Sequence, residues 1–333
     1  MRSLRAVPSV LAGAVLLTLA AAVPAVADDH DGFTIEDPRI VESSGLAASR
    51  AHPGVYWTHN DQDKGAYLYA VDSKTGETVA TVTMTGVGKP RDVEAISVGS
   101  DGNIYVGDIG DNLNGTWPNV WIYKLPEPER LKDQTVRATQ YVVKYADGAR
   151  DAEALMVHPK TGRLYIVSKN EDGGGLYESP ERMSASGTNV FRRVGDIDLW
   201  VTDGAFSPDG RRLALRGYFG GIWYAWRGEG KLPERKGRLS VPLQRQGESV
   251  TYTLDGSTLM YGTEGARSEV TPVEAPGGSG GGSGSSSGGS GGDGGAGSGG
   301  DSTLKTGAIA LGAVLLAVFG VKRLSRRGGR RGR

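Results

Sequence analysis

An all-β fold of the propeller type is what this 333-residue chain predicts, and three observations predict it. Short strand-like runs and turn signals fill residues 33–275, with no long stretch of 3.6-residue periodicity. One line of sequence recurs, as ESSGLAAS (42–49), DVEAISVG (92–99), DAEALMVH (151–158), VTDGAFSP (201–208) and QGESVTYT (246–253). The steps between copies are 50, 59, 50 and 45 residues, a spacing that suits propeller blades and not a sandwich.

Each copy is followed by a turn, such as Asp101-Gly102 or Asp209-Gly210, and then by a second strand: VYWTH, NIYVGD, RLYIVS, RLALRG and TLMYGT. Both runs alternate poorly and are rich in apolar residues, as strands buried on both faces should be. Third strands read from AYLYAVD, VWIYKLP, GLYESP and GIWYAW, and fourth strands from TVATVTM, TQYVVKYA, VFRRVGD and RLSVPL. The fifth unit is short. FTIEDPRI (33–40), from before the first unit, would supply its outermost strand and close the ring, removing an exposed edge. Five blades are expected, with six as the alternative, because the 59-residue step and the 255–275 tail leave slack.

The ends of the chain read differently. Residues 1–27 have the layout of a signal peptide: Arg2 and Arg5, an apolar run from Val10 to Val23, and Ala25-Val26-Ala27 before Asp28. A propeller domain is expected over 28–275, then a Gly/Ser-rich linker over 276–303 with a mean reach of roughly 25–30 Å. Residues 304–322 read as a transmembrane helix. Its uncharged stretch, 306–321, would give about 24 Å of helix, which Lys305 and Lys322 can lengthen by snorkelling. Seven of the last twelve residues are basic, which places the 323–333 tail in the cytoplasm and the propeller outside the cell. This end resembles the C-terminal anchors of Gram-positive surface proteins, although the sortase motif Leu-Pro-x-Thr-Gly is missing, so a retained helix is expected.

SGLAAS…PGVYWTHND…LYAVD, followed by DVEAI…IYVGDIGDN, resembles secreted bacterial β-propeller proteins with kinship to WD40-like and phytase-type esterase-like propellers. GAFSPDGRRLAL (204–215) is similar to a WD40 or TolB-type blade. The resemblance covers about residues 36–270 and implies the fold; propellers host unrelated activities, so it does not imply one. The Gly-His and Trp-Asp dipeptides of eukaryotic WD40 blades are missing.

Composition narrows the function classes. The chain has no cysteine, so disulfides and thiol chemistry are excluded. The formal charge of zero hides a split: the two terminal segments hold ten basic residues and no acid, leaving the rest near −10. An acidic surface argues against nucleic acid and toward cations, sugars or basic proteins. No Gly-x-Ser-x-Gly elbow occurs before a helix, and there is no Walker loop. NDQDKGAYLYA (60–70) fails the EF-hand pattern at Gly65 and Ala66 and reads as a polar turn. Trp223, Tyr224 and Trp226 read as packing between blades, and His52 and His158 as solvent-facing turn residues.

The candidate site comes from the aligned columns. In a propeller the start of each first strand and the end of each second strand meet at one mouth. Asp92 and Asp151 stand in one column with Glu42; Glu94, Glu153, Asp203 and Glu248 stand two residues on, with Ser44. Asp108 and Asn112 lie near a second-strand end. Acids gathered at one depth repel, and Ca²⁺ or another divalent cation would offset that repulsion through carboxylate and amide oxygens. Alternatively the acids pair with Arg91, Arg150 and Arg216 as links between blades. Three functions follow: a membrane-tethered binding module for a small molecule, glycan or protein; a metal-dependent lactonase, esterase or phosphatase with His59 or Asp108 as base; or a scaffold with a purely structural acid ring.

Overall fold

The computed structural model describes residues 31–61, 65–111, 113 and 115–277. The expected signal, membrane-spanning and tail segments lie outside the described residues, as does the linker beyond residue 277. Among the described residues every regular element is a strand, and no helix is long and apolar enough to cross a membrane.

The strands in chain order are β1 (Phe33–Thr34), β2 (Ser43–Ala48), β3 (Val55–Asn60), β4 (Tyr67–Asp72), β5 (Thr78–Thr85), β6 (Val93–Val98) and β7 (Asn103–Asp108). Next come β8 (Val120–Pro126), β9 (Gln134–Arg137), β10 (Thr139–Tyr145), β11 (Ala152–Val157), β12 (Leu164–Ser168), β13 (Gly174–Glu178) and β14 (Thr188–Ile197). The last are β15 (Val201–Phe206), β16 (Arg212–Gly217), β17 (Gly220–Ala225), β18 (Glu234–Leu239), β19 (Gly247–Tyr252), β20 (Thr258–Thr263) and β21 (Glu269–Glu274).

Antiparallel runs of four repeat along the chain: β2-β3-β4-β5, β6-β7-β8-β10, β11-β12-β13-β14, β15-β16-β17-β18, and β19-β20-β21-β1. The innermost strands pack side by side in the order β2, β6, β11, β15, β19 and back to β2, which is a closed, propeller-like ring. Apolar layers fill the spaces between neighbouring runs. Trp57, Leu68, Val106 and Tyr123 share one layer; Ile35, Leu46, Val71 and Met260 share the layer where the last run meets the first. Burial on both faces explains why the strands alternate so little.

The N-terminal segment closes the last run, with Phe33 opposite Val270 and the Ile35 N–H donating to Ser268 O (2.9 Å). Three details differ from the sequence reading. β9 was not foreseen: it adds to β5 in parallel, and β14 likewise runs parallel to β10 along Thr188–Phe191 before turning to β13. Both are polar outer strands whose pairing is set by neighbours rather than by an apolar pattern. The fourth strand placed at RLSVPL ends at Leu239, short of Pro242, which has no N–H for a ladder. His158 is buried, edge-on to Phe206 with ring centroids 4.9 Å apart, instead of facing solvent.

Candidate cation site at the axial mouth

One backbone contact, used four times, builds the mouth end of the ring. Asp61 N–H donates to Glu42 O (2.7 Å), Gly110 to Asp92 O (3.2 Å), Lys169 to Asp151 O (2.9 Å) and Glu264 to Gln246 O (2.8 Å). The residue at or just past each second strand is thereby fixed beside the residue that starts each first strand; Tyr218, just past β16, is its counterpart in the remaining run. The pairing of every innermost strand slips by a residue or more at this end, between Ser43 and Leu46, Val93 and Ala95, Ala152 and Ala154, Val201 and Asp203, and Gly247 and Ser249. Such bulges re-aim side chains. They leave Glu94, Glu153 and Glu248 outside the regular register.

Asp61, Asp92 and Glu94 converge, each offering a carboxylate oxygen within 4.8 Å of the others. Oxygens 2.3–2.6 Å from a Ca²⁺ ion lie at most about 5 Å apart, so the three fit around one hard cation. Asp92 and Glu94 are buried and Asp61 is half-buried. Burial first, then the charges of Asp61 and Asp92, push the Glu94 carboxyl well above its ordinary range, while Lys169 pulls it down. Ser44 Oγ donates to Glu94 Oε2 (3.1 Å) and orients it. Gly110 makes the convergence sterically possible: a Cβ there would stand 2.7 Å from Glu94 Oε1 and 2.9 Å from Asp92 Cγ.

The other expected ligands have different surroundings. Asp151 Oδ1 accepts the Asp111 N–H (2.8 Å), and burial raises its carboxyl. Glu153 Oε1 pairs with the Lys169 ammonium, whose Nζ also reaches the Tyr218 hydroxyl (3.1 Å). Glu248 is buried near Arg216 and Tyr218. Asp203 turns sideways, accepting the Gly204 N–H (2.7 Å) and, from the next innermost strand, the Val250 N–H (2.8 Å). In its run the bulge falls at Thr202, so Asp203 is ladder-paired with Arg216 and does not join the cluster. Asn112 lies outside the described residues.

Of the two base candidates, Asp108 is engaged elsewhere and His59 is fully buried. Asp108 accepts the N–H groups of Arg91 and Asp92 (3.0 Å each) and the Tyr123 hydroxyl (2.6 Å), holding the turn that presents Asp92. The His59 ring is buried, with Nδ1 on Asn60 O (3.1 Å) and Nε2 beside Gly45 without a hydrogen-bond partner among the described residues; burial lowers it to about 4. Nor do the arginines expected to neutralise the ring do so by pairing. Arg91 stacks on Trp117 and Trp121 (4.1 and 3.7 Å), and Arg150 pairs with Asp147 (2.9 Å). Arg216 donates to the carbonyls of Ser249 (2.8 Å) and Gly262 (2.9 Å). Lys169 takes that part instead.

Asp61, Gly110, Lys169 and Tyr218 were therefore underweighted in the sequence. The signal was present in the residue following each aligned second strand, but the second unit inserts Ile109 there and breaks the column.

No family model matches the chain, and no curated protein matches it. Solved structures do. A gluconolactonase from Xanthomonas campestris is similar at 16% identity over 74% of this chain and 80% of that one, with a TM-score of 0.46. The periplasmic gluconolactonase of Pseudomonas aeruginosa is similar at 14% identity over 66% and 64%, with a TM-score of 0.37. Hydrazine synthase from Kuenenia stuttgartiensis is similar at 12% identity and a TM-score of 0.38; the chain spans 61% of that protein's length. These likenesses are of the general fold alone.

Proposed function

We propose that this chain is an exported, membrane-tethered five-bladed propeller acting as a binding module, whose axial mouth holds a divalent cation, Ca²⁺ first among them. Export and anchoring rest on the sequence of residues 1–27 and 304–333. The cation reading rests on one observation: Asp61, Asp92 and Glu94 place oxygens within 4.8 Å of one another in a buried setting. An all-oxygen donor set suits a hard ion. A bound ion would supply charge compensation and open positions for a ligand's oxygens; the chain's own residues orient the carboxylates and exclude water.

The hydrolytic alternative shares this cation. It is less favoured because Asp108 already accepts three hydrogen bonds and His59 is fully buried. Calorimetric titration with Ca²⁺ tests the reading. One site is expected in the wild type, with affinity at least about tenfold weaker in Asp92→Asn, since a ligand charge is lost. Equal affinity in both proteins would refute it.

A further inference from the structure

Across the opening from the Asp61–Asp92–Glu94 cluster, the mouth changes character. Phe219, at the turn between β16 and β17, is 64% exposed. Its ring centroid lies 6.4 Å from that of Tyr218, and Trp200 packs edge-on to Tyr218 at 5.1 Å. Trp200 immediately precedes β15, and the Tyr218 hydroxyl accepts from Lys169 Nζ (3.1 Å), so this aromatic lip belongs to the mouth. Carboxylates lie near it: the charges of Glu248 and Glu264 both act on the Tyr218 phenol. Glu153 supplies a separate sign of an occupant. Its Oε1 takes the Lys169 ammonium, yet its Oε2 is buried with no hydrogen-bond partner among the described residues. A buried carboxylate oxygen in that state lacks a donor that the protein does not provide.

Charge decides what kind of donor fits. Asp151, Glu153, Glu248 and Glu264 add to the three clustered carboxylates, against Lys169 and Arg216. One divalent cation still leaves the mouth negative, so phosphates and carboxylates are repelled. An ammonium is attracted both by the carboxylates and by aromatic ring faces.

We infer that the mouth takes a ligand with an ammonium group on an apolar or aromatic body, the ammonium reaching Glu153 and Glu248 and the body lying against Phe219 and Trp200. The inference rests on the reading of the mouth as a ligand-binding site and narrows its ligand class.

The test is calorimetry on the full chain in detergent at neutral pH, with benzylamine, benzyltrimethylammonium, benzyl alcohol and benzoate as probes. At least one ammonium probe should bind, benzyl alcohol should bind at least about tenfold more weakly, and benzoate should give no heat. Phe219→Ala should weaken the ammonium probe several-fold while leaving the melting temperature and the Ca²⁺ titration unchanged, because Phe219 is exposed and outside the cation cluster. Binding of benzoate or benzyl alcohol as tight as the ammonium probes, silence from both ammonium probes, or an unchanged affinity in Phe219→Ala would overturn the inference. Ca²⁺ titrations on the same samples separate the two readings. A Ca²⁺ response without ammonium binding defeats this inference alone; ammonium binding without a Ca²⁺ response defeats the metal reading and supports the ammonium site.

Discussion

A methyl group at Gly110 would stand 2.7 Å from Glu94 Oε1 and 2.7 Å from Glu94 Cγ, closer than carbon contacts allow. The atoms in its way belong to the flexible Glu94 side chain and to Asp92, not to backbone. Gly110→Ala should therefore displace the carboxylates and leave the strands intact: Ca²⁺ affinity falls at least about tenfold in calorimetry while stability without the ion changes by under ~1 kcal/mol. Asp37 carries a second residue-scale prediction. Hydrogen bonds from Arg39, at 2.6–3.1 Å, lower its carboxyl to about 2 against the opposing effect of burial. A depressed carboxyl contributes stability that is present above its unfolded value of 3.8 and lost as pH falls through about 2. Arg39 is half exposed, so solvent screening holds the contribution to about 1 kcal/mol. Urea melts should show Asp37→Asn costing about 1 kcal/mol at pH 6 and about half of that at pH 3. An equal cost at both would contradict the assignment.

Among the elements, β1 has the fewest residues and closes the ring. It relies on neighbours for support: Ile35 is fully buried in the layer with Leu46 and Met260, and a Cβ at Gly76 would strike Thr34 O at 1.9 Å. Ile35→Ala should cost about 2–5 kcal/mol in denaturant melts. Gly76→Ala should also destabilise, since Gly76 has φ of 73° and backbone in its path. If either variant melted like the wild type, closure by the N-terminal strand would not be what holds the last run. This closure was legible in the sequence because the fifth unit lacks a strand and FTIEDPRI, with Phe33 and Ile35 alternating, stands before the first unit. β9 was not, because QTVR carries no pattern and its parallel pairing with β5 depends on where the chain lies in space. The bulges are equally silent in sequence. They arise from how backbones cross at the mouth, and one of them moves Asp203 out of a column that aligns perfectly well by eye.

At the scale of the whole molecule, repetition was the readable feature. Aligned innermost strands led to the expectation that Asp92, Glu94, Glu153 and Glu248 share one mouth; in the structure Asp92 and Glu94 converge with Asp61, Glu153 pairs with Lys169, and Glu248 lies near Arg216 and Tyr218. What the repeat could not convey was which acids touch. That depends on side-chain direction, on a glycine two residues past a strand, and on Lys169 reaching over to Glu153. The resulting field is uneven, with clustered carboxylates on one side and an ammonium with aromatic rings on the other.

The central claim, that this opening holds a divalent cation, is tested most directly by melting the full chain in chelator and in Ca²⁺ at about a hundred times the dissociation constant. The ion should add about 2.7 kcal/mol in the wild type, a rise of roughly 5–11 °C for a domain of this size, and no more than about half of that in Gly110→Ala. Identical melting with and without the ion, or an undiminished rise in Gly110→Ala, would contradict it.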